Sequence, residues 1–130
     1  MSDAARFPDS IQAIVDYLTP LYDWLPVGIR NPPEGSAYIK VRRVGGVQTT
    51  RISEAASFAI ECYGGSDTEA SNIAQSVRHD VKAMQGTQLG DVLVYKVEEL
   101  GGPSELPDPL APNLTRYSFI VAVTLRGLTQ

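Results

Sequence analysis

The sequence predicts an α+β fold: an antiparallel or mixed β-sheet of about four strands, with two α-helices packed on one face. Three observations lead to this prediction. Two segments have apolar residues at helical spacing, four segments alternate apolar and polar residues, and a glycine pair directly after the first alternating segment suggests a projecting β-hairpin. The 130 residues are the length of one domain, and we assign 1–130 to it.

The first helix is predicted to follow the N-cap residues Asp9 and Ser10 and to end near Thr19, because Pro20 cannot continue it. Four apolar residues recur on one face of this helix. They are Ile11, Ile14, Val15 and Leu18.

A β-hairpin is predicted next. Its first strand is predicted over Ala37–Val44, and Gly45-Gly46 suits a tight turn. The second strand of the hairpin is predicted over Val47–Ile52. The returning segment is polar, so we expect the hairpin to project from the body.

A third strand, Ser57–Tyr63, precedes the second helix. That helix opens with a capping box from Ser66 to Glu69, and Gly86 suits the position just past its end. One face of the helix is apolar. Its residues are Ala70, Ile73, Ala74, Val77, Val81 and Met84.

The last two strands are predicted over Leu93–Leu100 and Arg116–Arg126. The final strand is apolar enough on both faces to be central. Between them lies Gly101–Leu114, a fourteen-residue segment with four prolines. Loops of this length are usually functional or disordered, and we expect this one to dock on a neighbour or on the body.

No catalytic, cofactor or metal site is predicted. The single histidine, His79, falls on the polar face of the second helix, and the single cysteine, Cys62, falls on an apolar strand face. The glycine pairs lack phosphate-loop spacing, and Glu98 and Glu99 point to opposite faces of a regular strand. Enzyme activity is therefore not expected.

The composition and net charge limit the classes of partner that are expected. Hydrophobic residues make up 43% of the chain and charged residues 20%, which is typical of a globular protein. The net charge of −4 disfavours binding nucleic acid through the overall field. We expect no membrane association, because the chain has no signal peptide pattern and no run of the ~18 apolar residues that span a bilayer.

Two surfaces are candidates for contacts. Four basic residues fall on the predicted hairpin: Lys40, Arg42, Arg43 and Arg51. They could be ordinary solvated charges, contact nucleic acid or pair with acidic residues of a neighbouring subunit, and the negative net charge favours the last over DNA. The proline-rich loop adds Leu106, Pro107, Asp108, Pro109 and Leu110.

Several segments, in order, resemble one protein family. They are the helix Asp9–Leu18, Val27-Gly28-Ile29-Arg30-Asn31-Pro32, Val41-Arg42-Arg43-Val44-Gly45-Gly46, Phe58–Tyr63, the alanine-rich helix opening Ser66-Asp67, Val97-Glu98-Glu99-Leu100-Gly101-Gly102-Pro103, Leu106-Pro107-Asp108-Pro109 and Arg116-Tyr117-Ser118-Phe119, running to Arg126-Gly127. Together they resemble tail terminator proteins of long-tailed, siphovirus-type bacteriophages, especially those of actinobacteria. The resemblance spans residues 8–127 and is most distinctive from Glu98 to Tyr117.

The resemblance implies a structural virion protein and not an enzyme. Terminators form a six-fold ring that caps the tail tube, stops its polymerisation and offers a surface to the head. The implied partners are further copies of the chain, the major tail tube protein and a head-completion or connector protein. DNA passes through such a ring without specific binding, and the implied location is the virion tail or neck, after assembly in the host cytoplasm.

Three alternatives stay open at this point. Another neck component, such as a head-closure or tail-completion protein, would also be small and ring-forming. A small α+β ligand-binding domain or enzyme would need a pocket with convergent polar groups. A nucleic-acid-binding module would use Lys40, Arg42 and Arg43 and would bind in a salt-dependent way.

Overall fold

The computed structural model describes residues 10–31, 36–48, 53–90 and 92–127. It contains two α-helices and six β-strands, with a short 3₁₀ turn over Thr19–Leu21. In chain order these are α1 (Ser10–Leu18), β1 (Val27–Gly28), β2 (Tyr38–Gln48), β3 (Ser53–Gly64), α2 (Asp67–Lys82), β4 (Gln88–Leu89), β5 (Val92–Glu105) and β6 (Thr115–Gly127).

The six strands form one mixed sheet in the order β1-β2-β3-β6-β5-β4. Only β1 and β2 run parallel, and all other neighbours are antiparallel. The predicted α+β class with two helices is confirmed, and so is the central place of the last strand. The two strands beyond the expected four are two-residue segments at the sheet edges.

The core lies between both helices and one face of the sheet, which we call the core face. Buried residues of α1 and α2, such as Leu18 and Val77, join one cluster with Phe58, Ile60 and Val121 of the central strands. The predicted apolar stripe of α2 is fully buried. Apolar burial of this kind is what holds short amphipathic helices on a sheet.

The capping box at the start of α2 forms with a small change of partner. Ser66 Oγ accepts a hydrogen bond from the backbone N–H of Glu69 at 3.1 Å. The Glu69 carboxylate accepts from Gly65 N at 2.6 Å, one residue earlier than the usual pairing. At the other end α2 stops at Lys82, four residues before Gly86. Gly86 has a positive φ of 85° in the following turn, and its N–H donates to Val94 O.

The predicted turn at Gly45-Gly46 is wrong. β2 continues through both glycines to Gln48, so Val47 belongs to β2 and not to a returning strand. A register shift between Arg43 and Gly45 marks a β-bulge in which Val44 is the extra, unpaired residue, and Gly45 follows it directly. The connection itself, residues 49–52, lies outside the described residues.

The hairpin also does not project from the body. β6 pairs with β3 along its whole length, from Ser53 opposite Arg126 to Gly64 opposite Thr115. The strand that follows the connection, β3, has β2 on one side and β6 on the other.

The predicted loop Gly101–Leu114 is shorter in the structure. β5 runs on to Glu105, with register shifts on either side of Gly101, and only residues 106–114 form a loop. Pro103 is tolerated there because it lies at a bulge, where a ladder hydrogen bond is already missing. No helix among the described ranges is long and apolar enough to cross a membrane.

Candidate interaction surface

A buried carboxylate lies at the centre of the sheet face opposite the core, which we call the second face. Glu61 of β3 is only 1% exposed. Three cations neutralise it: Arg42 Nη2 at 3.2 Å, Arg116 Nη1 at 3.4 Å and Lys40 Nζ at 3.9 Å. The strand register produces this arrangement, since Lys40 lies directly opposite Glu61. We call Lys40, Arg42, Glu61 and Arg116 the Glu61 cluster.

The loop 106–114 is attached to this cluster through Asp108, which is 7% exposed. Asp108 Oδ2 accepts a hydrogen bond from the Tyr63 hydroxyl at 2.8 Å, and Oδ1 accepts from Leu110 N at 2.9 Å. Burial raises the pKa of this carboxyl, but the Leu110 and Tyr63 hydrogen bonds and the Arg116 charge outweigh it, so the pKa lies below 3.8. Asp108 is therefore an ionised anchor at neutral pH.

Burial, followed by the hydrogen bond to Asp108, raises the pKa of Tyr63 well above 10. The phenol therefore stays protonated and donates to the carboxylate.

Arg116 joins the loop to the sheet a second time. Its Nε donates to Leu106 O at 2.6 Å and its Nη2 donates to Pro107 O at 3.0 Å. The backbone N–H of Leu106 donates to Arg116 O at 2.9 Å. The loop was expected to dock either on a neighbouring molecule or on the body of the protein. The structure shows it docked on the body.

The anchored loop presents apolar side chains outward. Leu106 is 52% exposed and Leu110 is 78% exposed, on either side of the buried Asp108. Pro107 and Pro109, between them, are also exposed. Exposed leucines on a segment held by charged hydrogen bonds form a surface suited to a protein partner.

The predicted basic residues do not act as one free patch. Lys40 donates to Asn31 Oδ1 at 2.5 Å and contacts Glu61, while Arg42 pairs with Glu61 and keeps about half of its side chain exposed. Arg43 lies on the opposite face, where its Nη1 donates to Ser10 Oγ at 3.3 Å. Arg51 lies outside the described residues.

The structure thus brings Lys40, Arg42 and Asp108 together through residues that the sequence reasoning left out. Those residues are Glu61, Tyr63 and Arg116. The sequence did contain a signal that could have identified Glu61 as a site residue. A lone carboxylate in an otherwise apolar strand needs cations on the neighbouring strands.

Neither candidate nucleophile or base lies in a catalytic arrangement. Cys62 is fully buried, and burial raises the pKa of its thiol far above the physiological range. His79 is exposed on α2. Among the residues described, no three His, Cys, Asp or Glu side chains are grouped so as to hold a metal ion.

A groove of about 470 Å³ lies between the 3₁₀ turn and α2. Trp24 and Tyr22 line one side, with ring centroids 6.1 Å apart, and Asn72 and Ile73 line the other. The Tyr22 hydroxyl is occupied, since it donates to Asp80 Oδ2 at 2.6 Å. The groove therefore offers mainly an exposed tryptophan ring.

The chain matches no protein-family model, and no curated protein is significantly similar to it in sequence.

Proposed function

We propose that this protein is a structural component of a bacteriophage tail that caps the tail tube as a ring, with six copies as the expected number. The ring ends tail polymerisation and provides the surface to which the head joins. The ordered sequence features that resemble tail terminators support this proposal, and the chemistry of the surface is compatible with it.

The anchored loop is the structural observation that carries the proposal. Three charged or hydrogen-bonded links, through Asp108, Tyr63 and Arg116, hold residues 106–110 while Leu106 and Leu110 stay exposed. A pre-ordered apolar surface loses little conformational entropy when a partner covers it. This favours a permanent contact with a neighbouring copy or with the tube.

The basic residues of β2 fit a protein contact better than a DNA contact. Lys40 and Arg42 already share the Glu61 carboxylate, so phosphate would have to compete with a buried anion. DNA would pass through the ring without sequence-specific contacts.

Binding to purified tail tubes tests the proposal. A terminator binds tube ends and does not bind a portal–adaptor complex, and co-sedimentation with each assembly separates the two. Binding to the portal–adaptor complex alone would instead assign the protein to head closure or tail completion.

A further inference from the structure

Two exposed apolar features lie on opposite sides of the sheet. The loop 106–114 is attached to the second face and turns Leu110 outward, with 78% of that residue exposed. The groove beside α2 lies on the helix side, where Trp24 is 65% exposed next to Tyr22 and Ile73. We call it the Trp24 groove. Each feature leaves apolar surface in water that a partner could cover.

The residue types of the two features match each other. Proline-rich segments dock in grooves lined by aromatic rings, and their restricted backbone loses little entropy on binding. Pro107 and Pro109 are exposed, and the hydrogen bonds of Asp108 hold the segment between them in place. Trp24 and Tyr22 supply the aromatic surface of the groove. The loop therefore has the chemistry of a ligand for the Trp24 groove.

The two features also lie at the same end of the sheet. Tyr63, near the end of β3, binds Asp108 of the loop on the second face. Ser66 follows three residues later and lines the Trp24 groove at the start of α2. A rotation about an axis parallel to the strands keeps this end of every copy at one level. The loop of one copy can then meet the groove of the next, and a heterologous contact of this kind closes a ring.

The helix layer, residues 10–25 and 66–85, carries an excess of acidic side chains. Five are acidic and two are basic: Asp16, Asp23, Asp67, Glu69 and Asp80 against Arg78 and Lys82. Glu69 lines the Trp24 groove, and the exposed Asp23 lies between Tyr22 and Trp24 in the chain. Arg78 is already paired with Glu99 of β5. The surroundings of the groove are therefore acidic.

The second face carries the opposite excess. Among the described residues, the strand register and the loop place five basic and three acidic side chains there: Lys40, Arg42, Lys96, Arg116 and Arg126 against Glu61, Glu98 and Asp108. Glu61 and Asp108, next to the loop, are buried, whereas about half of the Arg42 side chain is exposed. Glu105 pairs with Tyr117 and so lies on the core face. The second face of one copy therefore attracts the helix layer of another, whereas two like faces repel.

We propose that copies of this chain join front to back, with Leu110 and the neighbouring prolines of one copy seated in the Trp24 groove of the next. This inference rests on the proposed ring function and specifies its contact between subunits. Leu21, exposed on the 3₁₀ turn, does not line the groove and takes no part in this contact.

Photocross-linking from the loop tests the contact directly. Leu110→p-benzoylphenylalanine keeps an apolar side chain at an exposed position, and the variant is irradiated on purified tail tubes. We expect covalent dimers in which residue 110 of one copy is joined to residues 22–25 or 66–76 of another, as mapped by mass spectrometry. Tyr95→p-benzoylphenylalanine is the matched control, because Tyr95 is 64% exposed at the other end of β5. We expect no cross-link from residue 95 to the groove.

A double-mutant cycle gives a second measurement if the photoreactive variant does not fold. Leu110→Ser and Trp24→Ala should each weaken binding to tube ends about tenfold. Because both changes remove the same contact, the double variant should bind about as weakly as either single variant. A double variant weakened about a hundredfold would mean that the two residues act independently.

Cross-links from residue 110 to the tube protein, to another part of a second copy or to no other chain overturn the front-to-back contact, and so does an additive cycle. If the wild-type protein still caps tubes in that case, the proposed function stands. If the wild-type protein binds no tube end, the proposed function fails. Irradiation of the concentrated protein in solution then decides the contact: dimers joined at the groove support it, and their absence overturns it.

Discussion

The Tyr63 hydroxyl donates a hydrogen bond to Asp108 Oδ2 at 2.8 Å, joining β3 to a loop 45 residues further along the chain. Both side chains are buried, and Arg116 Nη1 lies 3.8 Å from the same carboxylate oxygen. The exposed leucines of the loop therefore take their positions from a polar network beneath them. Substitutions in this network should therefore change stability, and substitutions of the exposed leucines should change binding.

Asp108→Asn should make stability less dependent on pH. The pKa of Asp108 is lowered in the folded protein, so its stabilising contribution is present above about pH 4 and is lost as the pH falls through the folded value. We expect the variant to lose about 1 kcal/mol of unfolding free energy at pH 7 and to lose less than wild type on acidification. Urea unfolding from pH 7 to pH 3 measures both. Asp23→Asn, at an exposed position, is the control, and an equal acid loss in Asp108→Asn and wild type would contradict the account.

Glu61→Gln should be strongly destabilising. The substitution removes the buried charge that Lys40, Arg42 and Arg116 share, and of the three only Arg116 has an ion pair with the Asp108 carboxylate as well. Removing one partner from a buried ionic cluster costs about 3 kcal/mol. Chemical denaturation measures this against Glu105→Gln, an exposed residue of β5. A cost as small as that of the control would mean that the Glu61 cluster contributes little to stability.

Gly64→Ala should destabilise the junction of β3 and α2. A Cβ at residue 64 would lie 2.6 Å from Ala70 N, and backbone at the first turn of a helix cannot move aside without cost. We expect a loss of about 2 kcal/mol, seen as a lower Tm. Gly45→Ala is the matched control, because no atom lies within 4 Å of the added methyl. Equal Tm values for the two variants would refute the packing argument.

Leu110→Ser should weaken function without weakening the fold. Leu110 is 78% exposed, so its replacement should change the free energy of unfolding by no more than about 0.5 kcal/mol. If the loop forms the contact surface, binding to tube ends should fall about tenfold or more, as for a central apolar residue of an interface. Leu21→Ser, also exposed but on the 3₁₀ turn, should bind normally. Normal binding by Leu110→Ser would remove the loop from the contact.

Local signals in the sequence were enough to predict where the two helices lie. Pro20 and Ser66 act through neighbouring backbone groups, so the end of α1 and the start of α2 could be predicted from a few adjacent residues. The apolar stripe of α2 likewise needs only helical periodicity to be recognised.

The ends of the strands were harder to predict, because a glycine can stand either in a tight turn or at a bulge within a strand. Gly45-Gly46 suits a tight turn and a bulged strand equally well, and the choice between them was made by pairing with Ser57 and Ala56 across the sheet. The same ambiguity hid the extension of β5 through Gly101.

The polar network could not be predicted from spacing. Asp108 meets Tyr63 only because the loop 106–114 folds back over the second face, and Arg116 meets Glu61 only because β6 lies beside β3. Contacts of this kind follow from the assembled sheet and leave no periodic pattern in the chain. The leucines and prolines of the loop did predict that it would dock, but the structure holds it through Asp108 and Arg116 and leaves Leu106 and Leu110 exposed.

Growth of tail tubes in the presence of the purified protein tests the central claim most directly. Tube subunits are polymerised, the protein is added, and tube lengths and ends are recorded by negative-stain electron microscopy over time. We predict that elongation stops and that a six-fold ring is seen at one end of each tube. Tubes that continue to grow with bare ends would contradict the account.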